Sequence, residues 1–267
     1  MKRNRSVLKD SGLAILMVLG LLLGLVNPGW AATYTVTTNA DSGAGSLRQA
    51  ISDANVSVGV PDTIDFAVSS ITLTSGEIPI SDDLTIQGPG AANLTISGNN
   101  TSRIFTVASG KTVVINDLTL QNGYTTAFAG GGAILNSGVL TVQHSALISN
   151  VSNYAGTGQD VGGGAIANAS GGILTIADST IANNSSNLLS TVGAGGGIWS
   201  NGTLTILRST LSGNKATSNG GGGLFAAGST NVTIDSSTLS GNTGGGANFE
   251  GGVATVTNST VTGNANG

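Results

Sequence analysis

The feature that most constrains this chain is a repeated segment in its carboxyl-terminal half. Five strings align without a gap: LTVQHSALISN, LTIADSTIANN, LTILRSTLSGN, VTIDSSTLSGN and ATVTNSTVTGN. They end at Asn150, Asn184, Asn214, Asn242 and Asn264, and a looser copy, VINDLTLQN, ends at Asn122. The interval between copies varies while the core of each copy keeps its length. This combination is typical of a solenoid whose coils share a cross-section and differ in their loops.

Apolar and polar residues alternate within each copy. Two apolar columns, represented by Leu204 and Ile206, flank a threonine column, represented by Thr205. Period-two alternation of β-branched residues predicts a strand with one buried face. A second short strand follows, with Leu211 facing inward, and the closing asparagine tolerates the left-handed backbone of a sharp corner. We also expect the stacked asparagines to hydrogen-bond to one another along the solenoid axis.

Glycine runs predict a third strand in each coil. The segments GGGAIL, GGGAIA, GGGIWS and GGGGLF begin at Gly130, Gly162, Gly195 and Gly220. Glycine permits corners and close stacking that a Cβ atom would block. The sequence therefore predicts an all-β fold over residues 61–267, a right-handed parallel β-helix with three strands per coil. Equivalent residues of neighbouring coils would lie about 4.8 Å apart.

Residues 1–31 are typical of a secretory signal peptide. Four basic residues within residues 1–10 precede an apolar run of 15 residues from Gly12 to Val26, and Gly29 and Ala31 provide the small residues of a cleavage site. A membrane-spanning helix needs about 20 residues. We therefore expect cleavage after Ala31 and export of the protein, with an uncleaved membrane anchor as the alternative.

The charge balance of the exported part excludes one class of partner. Without residues 1–31 the chain keeps 5 of its 9 basic and 12 of its 13 acidic residues, so its formal charge changes from −4 to −7. An acidic surface repels phosphates, and we expect no nucleic-acid partner. The chain has no cysteine, which excludes disulfides and thiolate metal sites.

Residues 32–60 differ from the repeats and predict a cap. Tyr34 to Thr38 alternate as a strand, Ser46 and Gln49 form a capping box, and apolar residues at helical spacing continue up to Asn55. The apolar face of this short helix would cover the end of the solenoid, which otherwise exposes its core and an unpaired strand edge.

The cap segment DSGAGSLRQAISDAN resembles the Cys-Ser-Leu-Arg-Glu-Ala type domain found at the start of exported bacterial β-helix proteins. The match centres on Ser46, Leu47, Arg48 and Ala50. Gly45 stands where the cysteine would be and Gln49 where the glutamate would be, so no role of that cysteine transfers. The GGGAI segments are similar to the repeats of polymorphic outer-membrane proteins. The resemblance covers most of residues 33–267 and implies a β-helix that is secreted or lies at the cell surface or outer membrane. It implies an adhesin-like or unknown role and no catalytic residue.

One stacked column is the best candidate for catalysis. His144, Asp178 and Arg208, followed by Ser236 and Asn258, each lie six residues before a closing asparagine. Asp178 would lie between His144 and Arg208 of the neighbouring coils, either as a small acid–base or anion site or as a solvated charge ladder. Glycosidic cleavage usually requires two facing carboxyl groups, whereas this column has one. We therefore assign no catalytic residue.

Two other acidic features are weaker candidates, one for catalysis and one for calcium binding. Asp82 and Asp83 are adjacent, and because neighbouring strand residues point to opposite faces we expect them to begin the strand LTIQG. The segment GTGQD, which ends at Asp160, resembles part of the repeat of calcium-binding β-rolls. Asp160 is thus the candidate ligand for Ca²⁺, although calcium needs six to eight oxygen ligands and one short segment cannot supply them. We expect no other cofactor.

Alternation also predicts a binding stripe on the third strand. If Ile198 points inward, then Trp199 points outward, as do Leu135 and Phe225 at the equivalent positions. Exposed rings beside polar groups suit sugar faces or partner proteins, so these three residues are candidate contacts. The alternative is that loops such as residues 151–160 fold over them.

Three classes of function remain open for such a chain. They are a structural or adhesive surface module, a polysaccharide-active enzyme such as a lyase or glycoside hydrolase, and a non-catalytic carbohydrate binder. The sparse carboxylates favour the first class, with a polysaccharide or another surface protein as partner. The repeat stops shortly after Asn264 without a cap, which predicts either a fragment of a longer protein or self-association through the carboxyl-terminal end.

Overall fold

The chain folds as a parallel β-solenoid, which confirms the predicted fold class. The computed structural model describes residues 30–57, 59–154, 162–187, 193–217, 220–228 and 231–265. Within these ranges, three parallel sheets run along the solenoid and each receives one strand from successive coils. The expected signal peptide falls on residues 1–31, of which residues 1–29 lie outside the described part of the chain.

Sheet 1 has nine strands, the longest of the fold. They are β1 (Thr33–Val36), β2 (Asp62–Phe66), β5 (Leu84–Gln87), β8 (Thr112–Asn116), β12 (Val139–Gln143), β16 (Ile173–Ala177), β20 (Thr203–Leu207), β24 (Asn231–Asp235) and β27 (Val253–Thr257). Sheet 2 has eight strands, and each of them comes directly after a strand of sheet 1 along the chain. They are β3 (Ser70–Thr72), β6 (Thr95–Ser97), β9 (Thr119–Gln121), β13 (Ala146–Ile148), β17 (Thr180–Ala182), β21 (Thr210–Ser212), β25 (Thr238–Ser240) and β28 (Thr260–Thr262).

Sheet 3 has seven strands that close the triangular coil. They are β4 (Ile78–Ile80), β7 (Phe105–Val107), β11 (Ile134–Asn136), β15 (Ile166–Asn168), β19 (Ile198–Ser200), β23 (Leu224–Ala226) and β26 (Ala247–Phe249). The prediction of three strands per coil omitted a fourth, shorter sheet between sheets 2 and 3. Sheet 4 consists of the two-residue strands β10 (Tyr124–Thr125), β14 (Val151–Ser152), β18 (Ser185–Ser186) and β22 (Lys215–Ala216).

The predicted inside and outside of sheet 1 are confirmed. Leu204 and Ile206 are fully buried, while Thr205 between them is half-buried on the outer face. Thr205 pairs in register with Thr175 on one side and Thr233 on the other. The apolar columns of successive coils therefore stack into one continuous core. In the last described coil the apolar side chains are exposed, with Val256 of sheet 1 at 46% and Val261 of sheet 2 at 59%.

The asparagine column is confirmed as a hydrogen-bonded ladder inside the solenoid. The side-chain amide nitrogen of each member donates to the side-chain oxygen of the next at 2.9–3.0 Å, through Asn150, Asn184, Asn214, Asn242 and Asn264. The backbone N–H of each donates to the same oxygen. The amide nitrogen also donates to a backbone carbonyl of the preceding coil, as from Asn184 to Leu147 at 2.9 Å. Complete pairing matters because an unpaired buried polar group costs about 1–3 kcal/mol.

Two details of the predicted asparagine column are wrong. Leu120 pairs with Leu147, so Gly123 takes the position of Asn150, and Asn122 lies one residue earlier than predicted. The left-handed backbone also lies one residue earlier, as at Asn122 (φ 52°) and Asn183 (φ 56°). Asn122 was aligned with the ladder because it is an asparagine, but asparagine suits two neighbouring positions. These are the left-handed corner and the buried ladder position that follows it.

Two further ladders join the coils. Ser145, Ser179, Ser209, Ser237 and Ser259 form a column in which the backbone N–H of each serine donates to the hydroxyl of the next at 3.0–3.1 Å. On sheet 3, Asn136 donates to Asn168, which in turn donates to Ser200. The corners between sheets therefore carry inter-coil hydrogen bonds in addition to the strand pairing.

The glycine runs allow the coils to approach closely before sheet 3. A Cβ atom added at Gly164 would overlap the carbonyl oxygen of Gly196, and one added at Gly196 would overlap that of Gly222. This confirms the prediction that these glycines permit stacking that a side chain would block. Ile134, Ile166 and Ile198 then enter the core fully buried.

The cap consists of strand β1 and one helix, α1 (Leu47–Ala54). The strand is displaced from the predicted Tyr34–Thr38 and extends sheet 1 by pairing with β2. The Ser46 side chain accepts a hydrogen bond from the Gln49 N–H, but the Gln49 side chain donates to Asp53 at 2.7 Å, so only half of the predicted capping box forms. The apolar face of α1 is buried, as predicted. Among the described residues, no helix is both long and apolar enough to span a membrane.

The structure of the cap gives a reason for two residues of the segment DSGAGSLRQAISDAN, Gly45 and Arg48. Gly45 has φ 76°, and a Cβ atom there would overlap the Thr37 hydroxyl, so a cysteine at this position would be strained and would displace the Thr37 side chain. Arg48 forms an ion pair with Asp41 at 2.9 Å and donates to the backbone carbonyls of Gly76 and Glu77. Arg48 therefore attaches the cap helix to the first coil.

We predict that Ile206→Asp unfolds the central coils, whereas Thr205→Asp is tolerated. A buried, unpaired carboxylate costs several kcal/mol, while the Thr205 side chain lies on the outer face. Chemical denaturation followed by circular dichroism measures the difference. Equal stability of the two variants would contradict the assigned inside and outside.

Candidate functional site

The predicted charged column lies at the corner between sheets 1 and 2. His144, Asp178 and Arg208 have positive φ values of 48°, 49° and 45°, so the backbone turns sharply at each of them. The guanidinium of Arg208 contacts the Asp178 carboxylate with two hydrogen bonds of 2.7 Å. The His144 Nε2 atom lies 4.0 Å from the same carboxylate. The prediction that Asp178 lies between the other two side chains is confirmed.

The column continues as a chain of polar contacts toward the cap. The His144 Nδ1 atom is 3.1 Å from the Asn116 side-chain oxygen, and the Asn116 amide donates to Gln87 at 2.7 Å. Gln87 then donates to Asp117 at 3.0 Å. These bonds join side chains of successive coils, so the corner stabilises the stacking of one coil on the next.

The electrostatics of the corner favour the ion pair. Hydrogen bonds from Arg208 lower the pKa of the Asp178 carboxyl below its ordinary value, and the same contact raises the pKa of Arg208. The side chains are well exposed, at 32% for Asp178 and 57% for Arg208. A carboxylate held by two charge-assisted bonds is occupied as an acceptor. The corner therefore has the chemistry of a solvated charge ladder.

The adjacent pair of acidic residues is also part of the coil-to-coil contacts. Asp82 and Asp83 precede β5, as predicted for a strand start. Asp82 is buried and forms an ion pair of 2.8 Å with Lys111 of the next coil, while Asp83 accepts a hydrogen bond from the Thr112 N–H. The two carboxylates thus have different partners.

The predicted binding stripe is not exposed. Trp199 is 4% exposed, Phe225 is fully buried and Leu135 is half-buried, and they pack with Ala167 as a cluster separate from the core. Their outward orientation was predicted correctly, and of the two alternatives left open for their exposure the structure shows the covered one. A Cβ atom at Gly193 would overlap the Phe225 ring, so the chain passes directly over it. A residue that points out of the solenoid can therefore still be covered.

A different group of aromatic residues lies at the surface beside sheet 4. The rings of Phe128 and Tyr154 meet edge to face, with centroids 5.4 Å apart and an interplanar angle of 81°. The Tyr124 hydroxyl accepts a hydrogen bond of 2.9 Å from the Asn153 amide. Phe128 is 49% exposed. We call Tyr124, Phe128, Asn153 and Tyr154 the aromatic cluster.

The base of the aromatic cluster is rigid. Tyr154 packs on Ala194 and Ala216, which are both buried. The loop that carries Phe128 is held by Arg103, a buried side chain that donates to the carbonyls of Gly130 (2.8 Å) and Gly131 (3.0 Å). Arg103 also forms an ion pair with Glu77 of the preceding coil. Phe128, the exposed ring of the cluster, therefore lies on a packed base formed by Tyr154 and by a loop that Arg103 holds.

The aromatic cluster escaped sequence reasoning because its members lie outside the repeated strings. They occur in NGYTTAFAGGG and NVSNYAG, the variable segments between the ladder position and the glycine run. The sequence feature that could have indicated this cluster is the occurrence of aromatic residues in two consecutive variable segments. Only the folded coils show that these segments are neighbours.

The candidate calcium ligand, Asp160, lies outside the described residues. Within the part of the chain that the structure describes, His, Asp and Glu side chains form no group of three or more that could hold a metal ion. The Ca²⁺ hypothesis stays untested.

Comparisons with known proteins add little to this geometry. No protein-family model matches the chain, and no curated protein matches it. Among solved structures, it is similar to Geobacillus virus E2 ORF18, with 11% sequence identity and a TM-score of 0.39 over 96% of this chain. The chain spans 64% of that protein's length. A likeness of this size establishes neither a shared fold nor a shared role.

The ion pair at the corner predicts a measurable titration. Because the Asp178 pKa is lowered in the folded protein, the stabilisation by this group is present at neutral pH and is lost as the pH falls through the lowered pKa. We expect Arg208→Gln to raise the Asp178 pKa toward its ordinary value, measured by NMR of the carboxyl carbon. Asp41, paired with Arg48 at the cap, serves as the internal control. An unchanged Asp178 pKa in the variant would refute the assigned cause.

Proposed function

We propose that this protein is a secreted or cell-surface module in which the β-solenoid is a rigid scaffold of structural or adhesive role. The contact surface is the aromatic cluster, and its ligand is a polysaccharide. The observation that carries the proposal is the exposure of Phe128, whose ring contacts Tyr154, next to the hydrogen-bonded pair Tyr124 and Asn153 of the same two segments. Export is supported by the signal-peptide pattern of residues 1–31 and by the cap motif around Ser46.

The chemistry of the aromatic cluster suits sugars. Aromatic rings present large apolar faces at low entropic cost, which match the C–H faces of pyranose rings. Tyr124 and Asn153 add hydroxyl and amide groups that both donate and accept hydrogen bonds. Preorganisation by Arg103 reduces the entropy lost on binding. A fixed surface of this composition favours reversible adhesion.

The use of charge supports a scaffold role. Arg103 pairs with Glu77, Lys111 with Asp82 and Arg208 with Asp178, and each pair joins neighbouring coils. Together with the buried ladders, these contacts stiffen the solenoid along its axis. A stiff rod that presents contacts on its corners suits a surface module.

We predict that aromatic-cluster variants lose polysaccharide binding. The purified chain is mixed with insoluble neutral polysaccharides, namely cellulose, chitin and starch granules, and the bound fraction is measured. Phe128→Ala and Tyr154→Ala should each weaken retention by about tenfold, because removal of a contact ring costs on the order of 1–2 kcal/mol. Ile173→Ala, which removes an aliphatic side chain that is 43% exposed on sheet 1, should bind normally.

Two results would contradict the proposal. Retention that is unaffected by both aromatic substitutions would exclude the aromatic cluster as the contact surface. Release of reducing ends or unsaturated sugars into the supernatant would instead assign the protein to the polysaccharide-active enzymes.

A further inference from the structure

A surface cavity of about 590 Å³, largely open to solvent, lies at the amino-terminal end of the solenoid. One wall is Thr37–Asn39, the segment that follows β1, and the other is Phe66–Ser70, the corner between β2 and β3. Pro89 of the next coil closes one side. This volume is within the range of about 300–1,000 Å³ that small-molecule sites occupy.

Backbone hydrogen bonds hold both walls of the cavity. The Thr37 N–H donates to the Gly45 carbonyl at 2.9 Å, which joins the first wall to the start of the cap helix. The Ala67 N–H donates to the Val36 carbonyl at 2.9 Å, which joins the two walls. The cavity therefore exists without a ligand, and binding would need little reorganisation.

The polar part of the lining consists of uncharged groups. The hydroxyls come from Thr37, Thr38, Ser69 and Ser70, and Asn39 adds an amide. Hydroxyl and amide groups can both donate and accept hydrogen bonds. No charged side chain is among the described residues that line the cavity. A charged ligand would lose hydration here without gaining an ionic partner.

The apolar part of the lining comes from Phe66, Val68 and Pro89. Phe66 and Val68 are half-buried and pack against the core, so their positions are fixed. A ligand that suits this cavity has hydroxyl groups on its edges, an apolar C–H face and no charge. Neutral pyranose sugars have these three properties.

We propose that this cavity binds one unit of a neutral saccharide. It is a site distinct from the aromatic cluster, because Phe66–Ser70 lie where β2 leads into β3 in the first coil, whereas Tyr124 follows β9 in a later coil. The inference that both sites engage one polysaccharide rests on the proposed function. Two contacts on one chain would then raise the apparent affinity through effective concentration.

The test follows backbone amide signals of the purified chain by NMR while a disaccharide is added. The probes are cellobiose, maltose and N,N′-diacetylchitobiose, with digalacturonic acid as the charged counterpart. We expect at least one neutral probe to shift the amides of Thr38, Asn39 and Ser69 saturably, and the charged probe to leave them unchanged. Ala67→Phe, which fills the cavity, should weaken the neutral probe about tenfold.

Further variants keep the test decisive. Asn39→Ala and Ser69→Ala each remove one polar group and should weaken binding several-fold, whereas Ser109→Ala, at an exposed turn, should not. Absence of saturable shifts at the cavity for all neutral probes, or equal binding of digalacturonic acid, would overturn the proposal. Phe128→Ala should leave disaccharide binding at the cavity intact, so failure of this site and failure of the aromatic cluster give different results.

Discussion

The structure depends on the in-register stacking of one coil on the next, and the buried asparagine ladder is the interaction that most restricts this stacking. Each inner ladder side chain (Asn184, Asn214 and Asn242) accepts two hydrogen bonds from the preceding coil, as Asn184 does from Asn150, and donates to both neighbouring coils. A shift of register by one residue would place residues such as Gly213 or Val151 in the ladder position and leave buried polar groups unpaired. Because each such group costs about 1–3 kcal/mol, the ladder fixes the register of the strands beside it.

Once the register is fixed, the variable parts of each coil are confined to the corners. The segment between the ladder and the glycine run can change in length because the coil closes again at close-packed glycines such as Gly164 and Gly196. The aromatic cluster lies in two such segments, and the cavity at the cap lies at another corner. The residues at the corners can therefore vary without disturbance of the core, as is usual for loops on a rigid scaffold.

Sequence reasoning succeeded where the physics is local and repeated. Alternation alone placed Ile206 inside and Thr205 outside, and the capping residues located the helix that begins at Leu47. It left alternatives open where tertiary contacts decide. Trp199 points out of the sheet as predicted, yet another part of the chain covers it. Alternation determines direction, whereas exposure depends on segments with no repeat.

The candidate site shows the same limit. The contact between Asp178 and Arg208 could be predicted because both residues occupy one column of the repeat. The contact between Phe128 and Tyr154 could not, since it joins two segments of different length that no alignment relates. The position of Asn122 was misassigned because one residue type serves both the left-handed corner and the ladder.

Hydrogen exchange tests the central role of the asparagine ladder most directly. The account predicts that the backbone amides of Asn150, Asn184 and Asn214 exchange only when the whole solenoid unfolds, so their protection equals that of core amides such as Ile206. Their side-chain amide protons should be protected as well, in contrast to those of the exposed Asn231. Rapid exchange of the ladder amides under native conditions, while the core amides stay protected, would contradict the account.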